Sequence, residues 1–238
     1  MNSSKIEYAP QATADGVDTL YSPIYNQTYH SIHGALQEAE HVFLVGTGVK
    51  QRLIDCKPTK ILEVGFGTGL NFLLTAYYSH PHNARFHYTT LENYLLPDKT
   101  LSALNYGEQL QTIEPIRQKL LWWRRNLPIA HPVGEFQYDL NPHIRLVMKL
   151  GDAITSDLKD NRYHAIYHDP FSPTANPELW TVSFFARLYG ALKVGGKLAT
   201  YSVKGTVRRA LQEVGFEVQK RPGPPGKREV LVAIKPIR

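Results

Sequence analysis

The chain has a single cysteine, Cys56, and no apolar run near the roughly 20 residues needed to cross a bilayer. A lone thiol cannot form an internal disulfide, and no Cys or His cluster surrounds it, so it reads as a structural thiol near a strand entrance. The ten histidines show no ligand spacing, which predicts no metal. The opening MNSSKIEYAPQATADG lacks the apolar core of a secretion signal, so the expected partners include no membrane and the expected location is cytoplasmic. Repeats and low-complexity linkers are missing too. With 42% hydrophobic and 20% charged residues among 238, the composition excludes a disordered chain and fits one globular domain.

What is present is LEVGFGTGLNFLL, Leu62 to Leu74. Lys60 to Val64 reads as a buried strand and Asn71 to Tyr78 as a helix. Between them, Gly65, Gly67 and Gly69 let the backbone turn sharply and approach a ligand with no Cβ in the way. The spacing G-x-G-x-G departs from the dinucleotide pattern G-x-G-x-x-G, so adenosylmethionine leads NAD as the expected cofactor; a plain tight turn is the alternative. The next strand, Arg85 to Leu91, ends in Glu92, placed to accept both hydroxyls of a ribose or to stand as a solvated strand end. A third strand, Ile144 to Leu150, delivers Gly151-Asp152-Ala153. Asp152 suits an adenine amino group and also an N-cap for a short helix.

A fourth strand, His164 to Tyr167, runs into His168-Asp169-Pro170-Phe171-Ser172-Pro173. An acid on a proline-stiffened turn at a strand's carboxyl end sits where a nucleophile meets a cofactor's methyl group. Methyl transfer from a sulfonium depends mostly on positioning, because the leaving group departs as a neutral thioether. If the nucleophile is an amine, Asp169 can accept an N–H hydrogen bond, orient the lone pair and offset the developing charge. The bland reading of Asp169 is a turn former before proline.

The remaining pattern organises around these strands. A helix over Glu178 to Leu192, a strand over Lys197 to Ser202, a helix over Thr206 to Val214 and a closing strand over Arg228 to Ile234 predict a mostly parallel α/β sheet whose last strand is antiparallel. Upstream, the segment to about Gly16 reads as loop and Ser31 to Val45 as an amphipathic helix, making residues 1–50 a cap. Residues 97–143, ending in an extended hairpin arm from Gly134 to Asn141 ahead of the third strand, read as an insertion beside the active site of a single domain 1–238.

The net charge of +6 points to a polyanionic partner. Lys119, Arg124 and Arg125 surround Trp122 and Trp123, while Lys197, Lys204, Arg208, Arg209, Lys220, Arg221, Lys227, Arg228, Lys235 and Arg238 crowd the last 42 residues. Solvated helix and loop faces are the alternative for any one of them. The two tryptophans suit helix packing before base stacking.

LEVGFGTGLNFLL, HDPFSPTANPELWT, GGKLATYSVKGTVRRALQEVGF and GKREVL, in this order, resemble the methyltransferase domain of the MnmC family, and LYSPIYNQTYHSIHGALQEAEHVFL resembles that family's opening segment. The resemblance implies a class I, Rossmann-like methyltransferase with a seven-stranded sheet, an N-terminal extension and a mid-chain insertion. It implies transfer of a methyl group from S-adenosyl-L-methionine, leaving S-adenosyl-L-homocysteine, to the aminomethyl nitrogen of a wobble uridine in the tRNA anticodon arm. Asp169 takes the catalytic place. Candidate cofactor residues are Glu63, Gly65, Gly67, Thr68, Gly69, Asn71, Glu92, Asp152 and Asp169; candidate substrate or tRNA residues are Phe171, Lys204, Arg208, Arg209, Lys227 and Arg228.

The chain departs from the family in reading His-Asp-Pro-Phe where Leu-Asp-Gly-Phe is frequent, and in carrying Lys204 where a small residue is common. Its length leaves no room for the FAD-dependent domain of bifunctional members, so a separate enzyme is expected to supply the aminomethyluridine, with no FAD and no metal needed here. Rival readings are a methyltransferase for an exocyclic amine of another base or a protein amide, a non-catalytic tRNA-binding module, and a spermidine-synthase-like aminopropyl transferase. The last is disfavoured by the basic surface.

Overall fold

Strands that read as continuous apolar runs need cover on both faces. The computed structural model, which describes residues 8–127 and 133–237, supplies it. The chain opens with a small antiparallel sheet, β1 (Pro10–Ala12), β2 (Asp18–Ser22) and β3 (Gln27–Thr28). Helix α1 (Ala35–Ala39) follows, winds on through wider π-helical turns over Glu40–Val45, and leads to α2 (Val49–Ile54). Asp15 caps α1 from a distance: its carboxylate accepts the backbone N–H groups of Ala35, Leu36 and Gln37 at 2.9–3.2 Å, filling the unpaired donors of a helix start.

Then come β4 (Thr59–Val64), α3 (Leu70–Ser79), β5 (Phe86–Glu92), α4 (Asp98–Ala103), α5 (Glu114–Arg125), β6 (Gly134–Asn141), β7 (Ile144–Leu150) and β8 (Tyr163–His168). The chain finishes with α6 (Val182–Ala191), β9 (Leu192–Thr200), α7 (Gly205–Val214), β10 (Glu217–Pro222) and β11 (Glu229–Ile234). The main sheet has the order β10-β11-β9-β8-β4-β5-β7-β6. Its five central strands are parallel, β11 runs antiparallel to β9, and β6 pairs antiparallel with β7.

The sheet therefore has eight strands, one more than the seven expected. The extra one is β6, the arm from Gly134 to Asn141, which folds back as a hairpin on β7 and covers its edge. Alternation along the strands sorts the core into two layers. Ile61, Tyr88, Leu146, Ala165 and Tyr167 face α1, α3 and α5, while Leu62, Val64, Leu91, Ile166 and Leu198 face α6 and α7.

Other sequence readings shift on contact with the fold. The loop-like opening contains β1, whereas residues 1–7 lie outside the described residues, as does Arg238. Cys56 is exposed beside the entrance to β4. Trp123 is buried and Trp122 is 57% exposed, and both stack on Tyr138 with ring centroids 6.4 and 6.3 Å away. Strand order reverses between β4 and β8, and the tips of those strands form the crevice where open α/β sheets take ligands.

Phe72 on α3 is fully buried and meets the rings of Phe66, Phe86 and Tyr88 at 6.3, 6.1 and 5.2 Å, tying the glycine turn to β5. Phe72→Ala should cost about 3–5 kcal/mol. Urea denaturation should show a lower midpoint at an unchanged slope, and a loss under about 1 kcal/mol would mean that Phe72 does not hold the turn to the core.

Candidate active site

A cavity of about 540 Å³ opens at the carboxyl ends of β4, β5, β7 and β8. Its floor is the glycine turn. Gly65 has φ +88°, and a Cβ there would lie 2.8 Å from the carbonyl oxygen of Asp169, so only glycine lets the β4 and β8 tips touch. Gly67 has φ +53°, and a Cβ there would strike the Tyr29 ring at 2.9 Å. The strand tips are locked by backbone bonds: Gly65 N–H donates to Leu91 O at 2.9 Å and Asp169 N–H to Val64 O at 3.0 Å.

Glu92 accepts from the backbone N–H groups of Phe66 and Gly67 through one oxygen, at 2.8 and 3.1 Å, and from Tyr94 through the other, at 2.7 Å. It thus fastens the glycine turn as well as facing the cavity. Burial raises its pKa, and those backbone donors hold it back. Asp152, at the cavity rim, accepts from Ile154 N–H at 2.8 Å, so it caps its own turn while facing the cavity. The same turn is held from behind by the Arg187 guanidinium, which donates to the carbonyl oxygens of Ala153, Ile154 and Ser156.

Asp169 and Glu63 share one amide. Asn71 Nδ2 donates to Asp169 Oδ2 at 2.9 Å and to Glu63 Oε1 at 3.0 Å. Burial pushes the Glu63 carboxyl well above its ordinary value, against the hydrogen bond from Asn71. Asp169 is also raised well above its ordinary value, first by burial and then by the nearby charge of Glu38, while Asn71 and the Lys227 ammonium pull it down.

Gly65, Gly67, Asn71, Glu92, Asp152, Asp169, Phe171 and Lys227 all line the cavity. Three expected cofactor residues do not. Glu63 is fully buried beneath Asn71, and Thr68 is turned inward, its Oγ1 2.6 Å from His30 Nε2 and its carbonyl accepting from Tyr106. Gly69 begins α3 under the Phe66 ring, where a Cβ would come within 2.9 Å. They shape the turn from behind and do not face the cavity. Lys204, Arg208, Arg209 and Arg228 also lie off the cavity, with Lys204 Nζ bonded to Thr174 Oγ1 at 2.8 Å. Lys227, which the sequence groups with them, instead pairs with Glu38 and sits 4.4 Å over the Tyr201 ring.

The N-terminal segment builds a wall to which sequence reading assigns no role. Tyr25 stacks on Phe171 at 4.3 Å, Tyr29 meets it edge-on at 5.0 Å, and Gln27 binds Ser172 twice, through Oγ at 2.6 Å and N–H at 3.1 Å. Tyr201 O–H donates to Pro170 O at 2.9 Å. The available signal is the density of tyrosines and polar residues between Tyr21 and His33, which periodicity does not register. No described residue of 97–143 lines the cavity; that stretch supports α3 and the sheet edge and backs the glycine turn, where Tyr106 donates to Thr68 O. Among the described residues no group of three or more His, Cys, Asp or Glu could hold a metal, and no helix is long and apolar enough to cross a membrane.

The family model that matches residues 119–236 is described as S-adenosyl-L-methionine-dependent methyltransferase. The chain is 37% identical over 229 residues to the tRNA 5-methylaminomethyl-2-thiouridine biosynthesis bifunctional protein MnmC of Cupriavidus metallidurans, with 94% of this chain and 33% of that protein covered. It is 36% identical to the MnmC of Burkholderia mallei, over 90% of this chain and 33% of that one. It thus spans about a third of the length of the curated relatives it matches. The crystal structure of MNMC2 from Aquifex aeolicus matches 100% of this chain and 75% of its own with a TM-score of 0.81 at 27% identity. Over nearly its whole length the chain is thus similar to the MnmC proteins, and its C-terminal half matches the S-adenosyl-L-methionine-dependent methyltransferase family.

Proposed function

We propose that this chain transfers a methyl group from adenosylmethionine to the aminomethyl nitrogen of a modified wobble uridine in tRNA, yielding a 5-methylaminomethyl-2-thiouridine type of nucleoside. The observation that carries the reading is the place of Asp169: one carboxyl at the β8 tip, touching the glycine turn on one side and an aromatic-lined cavity on the other. The residues fit the cofactor. A floor on which a Cβ would collide, an acid at the β5 tip and an acid at the β7 tip are the groups that a sulfonium nucleoside needs. Gly65, Gly67 and Asn71 would hold its amino acid end, Glu92 its ribose and Asp152 its adenine.

When bound, the donor supplies an electrophilic methyl carbon whose leaving group is neutral. Asp169 accepts a hydrogen bond from the substrate nitrogen and fixes its lone pair, and Asn71 fixes Asp169. A carboxyl with a raised pKa is a better proton acceptor than an ordinary one, which suits a substrate amine that arrives protonated. Phe171, stacked on Tyr25 beside the cavity, offers a face to the uracil ring. Lys204, Arg208, Arg209 and Arg228, outside the cavity, form the surface for phosphates of the anticodon arm. N-methylation consumes a primary amine that a different catalytic centre must install.

Nucleoside mass spectrometry of tRNA bearing 5-aminomethyluridine should show one added methyl group per wobble uridine after incubation with chain and donor. Asp169→Ala should abolish turnover and leave tRNA binding intact; full turnover by that variant removes Asp169 from the mechanism.

The raised Asp169 carboxyl makes donor binding pH-dependent. A sulfonium cation favours the ionised form, so binding releases a proton wherever the free cavity holds Asp169 protonated. Affinity should therefore tighten as pH rises toward the elevated pKa and level off above it. Calorimetry in buffers of different ionisation enthalpy should register the proton, and Asp169→Asn should erase it; a pH-independent affinity in the wild type contradicts the assignment.

Arg208→Glu with Arg209→Glu should weaken tRNA binding and lower the slope of log affinity against log salt by roughly one for each phosphate that the variant no longer neutralises. Unaltered affinity and slope would move the tRNA surface elsewhere.

A further inference from the structure

The loop between β10 and β11 is seated on the N-terminal wall at three points. His41 Nε2 lies 2.7 Å from Pro222 O, a Cβ on Gly226 would fall within contact of the His33 ring, and Lys227 reaches past both to Glu38. Glu38 is buried, and its second oxygen accepts from Ser31 N–H at 3.1 Å. Lys227 Nζ also sits 4.4 Å over the ring of Tyr201, whose hydroxyl holds Pro170 of the catalytic turn at 2.9 Å. Glu38, Tyr201, Lys227 and Asp169 all line the one cavity.

A buried carboxylate and an aromatic face around a primary ammonium on a flexible stem are the parts of an alkylammonium site. Lys227 carries the only Lys or Arg side chain among the described residues that line this cavity. The other acids there are engaged by neutral donors: Glu92 by backbone amides, Asp152 by Ile154 N–H, Asp169 by Asn71 and Glu178 by the Asn176 amide. Glu38 alone of these five is ion-paired with a Lys or Arg side chain of the described residues. An aminomethyl group, less basic than lysine because of the adjacent ring but still a primary amine, reaches the enzyme in its protonated form as the same kind of cation as the Lys227 head.

We infer that Glu38 and Tyr201 form the subsite that recognises the substrate's primary ammonium, and that Lys227 fills it as an internal surrogate until the nucleoside displaces it. The inference rests on the aminomethyl reading of the substrate and deepens it. A buried carboxylate stripped of its partner is costly, so Lys227 leaves only when another cation replaces it, which selects amine-bearing nucleosides over plain uridine. The work is divided between two carboxyls. Glu38 seats the cation; Asp169 takes one N–H proton, the bonding pair staying on nitrogen. That pair then forms the N–C bond while the C–S pair leaves with sulfur, giving a secondary ammonium and a neutral thioether, and the Asp169 proton returns to solvent.

The test has two arms. In the first, thermal unfolding of Lys227→Ala is followed with ethylammonium chloride against sodium chloride at equal ionic strength. Ethylammonium should raise the midpoint in Lys227→Ala and not in Lys227→Ala with Glu38→Gln; equal effects of the two salts overturn the subsite. In the second, steady-state kinetics on tRNA bearing 5-aminomethyluridine should show Lys227→Met lowering the KM for tRNA by about fivefold or more, since the competent state no longer has to be emptied first. Glu38→Gln should raise that KM by about tenfold or more, with the KM for adenosylmethionine unchanged in both variants at a pH where donor affinity has levelled off. A higher KM for tRNA in Lys227→Met, with a flatter salt dependence, would make Lys227 a phosphate contact and overturn the surrogate role. If ethylammonium selects the Glu38 site while no form methylates this tRNA, the tRNA reading fails and the ammonium subsite stands.

Discussion

The contact between Gly65 and the Asp169 carbonyl is the constraint from which the site follows. Two parallel strands lie side by side at the switch point, and their loops must leave in different directions without parting. With a Cβ allowance of 2.8 Å to a backbone oxygen, the β4 tip accepts glycine alone. Because the loops touch, the Asn71 amide spans from Glu63 on one strand to Asp169 beyond the other. The Asp169 carboxyl, proposed as catalytic, is thus positioned by backbone packing and one bridging side chain.

The same closeness sets the electrostatics. Glu63 and Asp169 sit at either end of one amide, Glu38 adds a third carboxyl across the cavity, and burial pushes the first two upward. A protein that gathers acids in a poorly solvated cleft resists ionising them until cations arrive. In the proposed reaction the cations are a sulfonium and a substrate ammonium; in the structure it is Lys227, paired with Glu38. On the proposed function, the basic exterior on α7 and the β10–β11 loop and the acidic interior would serve one substrate, with phosphates attracted outside and an amine received inside.

Much of this is legible in the chain. The apolar runs mark β4, β5, β7 and β8 nearly to the residue, and the rule that ligands bind at carboxyl ends turns their last residues into Gly65, Glu92, Asp152 and Asp169, all of which reach the cavity. Proximity along the sequence misleads where a turn hides residues from its own ligand face: Glu63, Thr68 and Gly69 adjoin cavity residues in the chain and lie behind them in space. The edge strand β6 reads as a hairpin arm ahead of β7, but its polar, half-exposed faces do not show that it joins the main sheet as an eighth strand. Glu38 and Lys227 cannot be matched by spacing, since 189 positions separate them and each resembles a solvated charge on its own element. The aromatic wall from Tyr25 to Tyr29 is visible as composition but has no periodicity to fix which way it faces.

What a methyl group does at position 65 tests this constraint most directly. Gly65→Ala should fold, as circular dichroism and a cooperative unfolding transition will report, but with the β8 loop pushed off the turn. Calorimetry on that folded variant should find adenosylmethionine affinity weakened by at least about tenfold, the factor that some 1.4 kcal/mol of misplacement produces. Wild-type affinity in a folded Gly65→Ala chain would show that the strand-tip contact does not build the site.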